Sequence, residues 1–125
     1  MIYKSVARQI KQINRLAIRG AGTLIDTFVI IDALLLIHQA EIESINDNCA
    51  KYLFAPNVFS YIPEGLKMIW SQNGHDGEII ITLPDTEEDR TLIWKKGEHQ
   101  GTTEATPEKL LFYLDVVFGD YFERT

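Results

Sequence analysis

The chain has one cysteine, Cys49, so an intrachain disulfide is excluded and a reducing compartment is implied. It also lacks a run long and apolar enough to cross a bilayer. The most apolar stretch, residues 23–45, contains Asp26 and Asp32, each costing about 2.5–3.5 kcal/mol near the bilayer centre, where roughly 20 apolar residues are needed. An integral membrane segment is therefore not expected. No hydrophobic signal-peptide core precedes the first predicted helix, which makes the cytoplasm the simplest placement. Internal repeats and low-complexity segments are missing too, and 125 residues suit a single domain, 1–125.

Signatures of chemistry are equally scarce. There is no phosphate loop, dinucleotide fingerprint or nucleophile elbow. His38, His75 and His99 do not fall at metal-ligand spacing with one another or with Cys49. His75-Asp76 and Glu98-His99 lie in separate polar loops that a fold can bring together. The acidic run at Asp85, Glu87, Glu88 and Asp89 lacks the glycine that a calcium loop requires. The expectation is no catalytic residue, no metal and no cofactor.

What the sequence does have is segregated charge. Residues 1–19 hold five of the twelve basic side chains and none of the eighteen acids, so the net −6 divides into +5 there and −11 over the rest. The five cations, Lys4, Arg8, Lys11, Arg15 and Arg19, fall within an arc of roughly 80° on a helix predicted over Ile2–Ile18. Ile2, Val6, Ile10, Ile13 and Ala17 form the opposite, apolar face. Such a stripe suits a solvated face, internal pairing with the acidic remainder, nucleic acid backbone, an anionic membrane or a transit peptide. The acidity of the remaining chain would repel phosphate, which weighs against nucleic acid.

Residues 23–45 predict a second helix, started by a capping box from Thr23 to Asp26. From Leu24 to Ile37 only Asp26, Thr27 and Asp32 are polar, so this half should be buried on nearly all sides. Beyond it, Ile37, Ile42, Ile45, Cys49 and Leu53 are expected on one buried face. Asp32 within the apolar half needs a cation or several donors; it reads as a site carboxylate, or as a charge at the helix edge or one paired with a nearby arginine. Tyr52, Phe54, Phe59 and Tyr61 then concentrate aromatics, suiting sheet packing or a binding patch.

Residues 62–74, IPEGLKMIWSQNG, read two ways. Pro63 and Glu64 suit a helix start with Ile62, Leu66, Ile69 and Trp70 at helical spacing, whereas Leu66, Met68 and Trp70 alternate as in a strand. The helix is preferred. This piece resembles the proline-start helix ending in Asn-Gly of the SUKH superfamily, many of whose members are toxin-immunity proteins. The resemblance covers these residues alone, lacks that family's second glycine after Asn-Gly, and implies no site residue.

Strands are predicted over 78–83 and 90–96, joined as an antiparallel hairpin, with Ile79, Ile81, Leu83, Leu92 and Trp94 facing inward. Lys95 and Lys96 suit an edge. Residues 97–105 read as a polar loop, and Thr106-Pro107-Glu108 starts a closing helix with Leu110, Leu111, Leu114, Val117, Phe118 and Phe122 inside. The fold class is α+β: an amphipathic N-terminal helix plus a long buried one, a small antiparallel sheet, and a C-terminal helix.

Charge without chemistry points to a binding protein. The leading expectation is an acidic inhibitor, a bacterial-type immunity or antitoxin protein that blocks a basic, nuclease-type toxin domain. Asp76, Glu78, Asp85, Glu87, Glu88, Asp89 and Glu98 would make the contact. The alternative is a regulatory adaptor whose basic face, Lys4, Arg8, Lys11, Arg15 and Arg19, engages an anionic partner. Oligomeric state is left open.

Overall fold

The computed structural model describes residues 2–20, 22–46, 53–61, 64–84 and 90–123. Among these residues two helices come first, α1 (Ile2–Ile18) and α2 (Thr27–Asn46). Five strands follow: β1 (Asn57–Tyr61), β2 (Gly65–Ser71), β3 (Gly77–Leu83), β4 (Thr91–Lys96) and β5 (His99–Glu104); α3 (Pro107–Glu123) closes the chain. The strands form one antiparallel meander in the order β1-β2-β3-β4-β5. All three helices pack on the same side of it: α1 against β1, α2 against β2 and β3, α3 against β3 and β4. This is an α+β fold. No helix among the described residues is long and apolar enough to cross a membrane.

Period-two alternation sets the inner face of the sheet. Leu66, Met68 and Trp70 of β2 pair in register with Leu83, Ile81 and Ile79 of β3, and the last two meet Leu92 and Trp94 of β4. All but Trp94 are buried. Val29, Ala33, Leu36, Ile37 and Ala40 of α2 and Leu110, Leu114, Val117 and Phe118 of α3 close over them in one core. Polar side chains fix the docking angles. Gln9 of α1 accepts from Val58 N at 2.8 Å and donates to the Pro56 carbonyl at 2.9 Å, so it pairs with β1 much as a strand would. The buried Trp70 indole donates to the Phe54 carbonyl at 2.8 Å.

α1 has the predicted bounds, and its buried residues, Val6 and Ile10, lie on the predicted face. Elsewhere the structure corrects the expectations. Residues 65–71 are a strand, not a helix, because both neighbours supply ladders that bury Leu66, Met68 and Trp70 together. That removes the helix on which the likeness to the SUKH superfamily rested. Residues 99–104 are an edge strand rather than a loop. It reads as polar because its inward positions include Gly101, where a Cβ would lie 2.6 Å from the Trp94 indole nitrogen. β4 is therefore not an edge: Lys95 lies between Glu78 and Gln100.

α2 starts at Thr27, with Asp26 rather than Thr23 as its cap. The Asp26 carboxylate accepts from Phe28 N at 2.9 Å, and its carbonyl accepts from Ile30 N at 3.1 Å. The helix is covered on one side only. Ile42 and Ile45, expected inside, are exposed, and Ala40 and Ser44 take the buried positions. Cys49 and Tyr52 lie outside the described residues.

Gly65 shows how tightly the sheet is packed. A Cβ there would run into the Leu83 carbonyl oxygen and approach Pro84 Cα to 3.1 Å, backbone that cannot swing aside. Gly65→Ala is expected to lower unfolding free energy by about 1–3 kcal/mol in denaturant titration, as overpacking does; an unchanged midpoint would contradict the packing.

Candidate functional site

Antiparallel connectivity decides which loops meet. The turns between β2 and β3 and between β4 and β5 emerge at one end of the sheet. α3 begins at the other end and runs back for about 25 Å at 1.5 Å per residue, which delivers its C-terminal turns to those loops. Gly74, at φ 79°, and Gly97, at φ 58°, make the reversals in the left-handed region that favours glycine. The result is a cleft of about 630 Å³ lined by Gly74, His75, Asp76, Lys96, Gly97, Glu98, His99 and Asp120. The two histidine-bearing loops do meet.

His75 is its structural centre, with a side chain only 8% exposed. Nδ1 accepts from Gly77 N at 2.9 Å, so in the neutral ring the proton sits on Nε2 and points at Asp120 Oδ1, 3.2 Å away. The ring rests on Phe118 and meets the edge of Tyr121. Gly77 leaves room for this, since a Cβ there would come within 2.7 Å of His75 Cε1. Asp120 Oδ1 also accepts from Tyr121 N at 2.9 Å and lies 3.3 Å from Lys96 Nζ. The His75 hydrogen bond, with Lys96 second to it and burial opposing, holds the Asp120 carboxyl down at about 2 against an ordinary 3.8. Lys96 additionally donates to the Val116 carbonyl at 3.1 Å.

Chemically, this is an occupied network. Both imidazole nitrogens are engaged, so His75 cannot take a substrate proton without breaking one of its bonds. Asp76, Glu98 and His99 are exposed around it. Among the described residues no group of three His, Cys, Asp or Glu side chains could hold a metal.

Of the other sequence-selected residues, those described lie outside this cleft. Asp85, Glu87, Glu88 and Asp89 lie outside the described residues. The strands flanking them end at Leu83 and resume at Thr91, at the opposite end of the sheet from Asp76 and Glu98. Seven residues of β3 separate the two ends, about 20 Å at 3.3 Å per residue. Glu78 lies between, on the open face beside Lys95. Asp32 is no buried site carboxylate. Its side chain is 45% exposed and bonds Arg90 at 2.9 Å, while His38 turns instead to the Tyr3 ring. Lys4, Arg8, Lys11, Arg15 and Arg19 are all exposed, and none forms an ion pair among the described residues.

Sequence reasoning missed Lys96 and Asp120. Neither has a local signal, because their meeting depends on the helix returning over the sheet.

In proton–nitrogen correlation spectra at neutral pH, His75 is expected as the Nε2–H tautomer; a dominant Nδ1–H form would contradict the network. Asp120's lowered pKa makes its contribution to stability complete above pH 3.8 and lost as pH falls to about 2. The stability gap between the native chain and Asp120→Asn should close over that window, and a gap independent of pH would refute it. No family model, no curated protein and no solved structure matches this chain.

Proposed function

We propose that this protein acts by binding another protein, as an inhibitor of the immunity or antitoxin type that covers the positive groove of a basic, nuclease-type toxin. The observation that carries the reading is the fate of the charges. Among the described residues, no cation of α1 pairs with an acid. Asp76 and Glu98 are exposed at the cleft and likewise form no ion pair among the described residues. A groove that selects phosphate by its field is attracted by the same field to clustered carboxylates.

A toxin would meet either Asp76 and Glu98 or the acids Asp85, Glu87, Glu88 and Asp89 that follow β3 in the chain. Such an inhibitor works where its toxin works, in the cytoplasm.

A second reading has its own observation. Five exposed cations on one helix face, none in an ion pair among the described residues, form a ready surface for an anionic partner, so α1 is the contact in an adaptor.

Binding to a panel of purified cationic nuclease domains separates the two. Asp76→Lys with Glu98→Lys, or Glu87→Lys with Glu88→Lys, is expected to weaken binding about tenfold or more, and one pair should act far more strongly than the other. Arg8→Glu, Lys11→Glu and Arg15→Glu together should leave toxin binding nearly unchanged. Unaltered affinity after both acidic reversals would remove the inhibitor reading. An anionic partner outside that panel, captured by the native chain and lost on the α1 reversal alone, would favour the adaptor.

A further inference from the structure

The outer side of α2 is unexplained by either reading. Phe28, Ile31, Leu35, His38, Ile42 and Ile45 follow one another at intervals of three, four, three, four and three. All six face solvent: Phe28 is 81% exposed, Ile45 66%, Leu35 52%, Ile31 49% and Ile42 46%. The core-facing residues of the same helix, Val29, Ala33, Leu36, Ile37 and Ala40, lie on its opposite side. A helix needs only one apolar side to dock on its own sheet. A second one repeating every 3.5 residues is the seam of a helix pair.

We infer that α2 pairs antiparallel with α2 of a second copy of this chain, about a two-fold axis passing between Leu35 and His38. The spacing is symmetric about that point. Phe28 meets the second copy's Ile45, Ile31 meets its Ile42, and Leu35 meets its His38. The large aromatic end packs on the β-branched end, and each histidine faces a leucine. A parallel alignment would set Phe28 on Phe28 and bury His38 against His38. One patch thus complements itself, as an isologous interface requires.

Area and charge favour this occupant. The seam exposes on the order of 500 Å² of apolar surface per copy, near the upper end of what a monomer leaves bare. Two such faces bury about 1,000 Å², where specific association begins. The seam holds no carboxylate, so the net charge of −6 lies outside it. Ile31, Leu35 and His38 also line a groove of about 430 Å³ between α1 and α2, which carries one cation, Lys4, and one carboxylate, Glu41, which accepts from Tyr3 N. The two charges are of opposite sign, so two copies meet with no net charge on this groove. A basic toxin finds no acid in the seam, and an anionic partner no cation. The inference is independent of the toxin reading.

Sedimentation velocity from micromolar to sub-millimolar concentration tests it on the intact chain. The native chain should pass from monomer to dimer. Ile31→Glu with Leu35→Glu should remain monomeric, with association weakened about a hundredfold or more and an unchanged circular dichroism spectrum, since both sites are exposed. Phe28→Ala, which adds no charge, should weaken association in the same direction. In a Cys49→Ser background, a short bismaleimide should join Phe28→Cys chains to Ile45→Cys chains in preference to either with itself. A native chain that stays monomeric, a dimer indifferent to the double variant, or Phe28-to-Phe28 cross-links would each overturn the proposal. A monomer whose toxin binding still fell on Asp76 and Glu98 reversal would sink the dimer and leave the inhibitor standing.

Discussion

A helix apolar on two opposite sides can satisfy only one of them against its own sheet, and α2 is in that position. Its inner side, Val29 through Ala40, is covered by β2 and β3, with α1 and α3 packed along its flanks. Most of the stability comes from this layer, because removing apolar surface from water is the dominant favourable contribution to folding. Trp70, Leu36, Ile37 and Phe118 are among the largest fully buried side chains, and all lie where helices meet sheet. The outer side of α2 is what remains once that layer is complete.

The polar interactions set geometry more than they add stability. Asp32–Arg90 joins α2 to the start of β4, and Asp120 joins the end of α3 to Lys96 and His75. Pairs this exposed are worth little individually, with a median of about 0–1 kcal/mol. Their value lies in orientation: α3 is held where its C-terminal turn closes the cleft. The Glu108 carboxyl, at the start of the same helix, is held below its ordinary value chiefly by a hydrogen bond from its own backbone N–H, with Thr106 as a further partner. None of these pairs involves the α1 cations.

Much of this was legible from local signals. α1 declares itself by period and charge, α3 by Thr106, whose hydroxyl accepts from Lys109 N at 3.1 Å, and the β3–β4 hairpin by alternating isoleucines. The misreadings share a cause, dependence on partners distant in the chain. Leu66, Ile69 and Trp70 fit a helix until two neighbouring ladders choose the strand. β5 shows no apolar alternation because Trp94 fills the space above Gly101. In α2, apolar residues on every side do not say which side the fold will cover. The two histidine loops read as potential neighbours from the sequence, but Asp120 and Lys96 join them only through the path of α3.

Carbene footprinting at two concentrations tests the half-covered state of α2 most directly. When dilute, Phe28 and Leu35 should label heavily while Leu36 and Ile37 stay protected; on concentration, labelling at Phe28 and Leu35 should fall with no change at the inner pair. Phe28 and Leu35 protected at every dilution, or Leu36 and Ile37 labelled alongside them, would contradict the account.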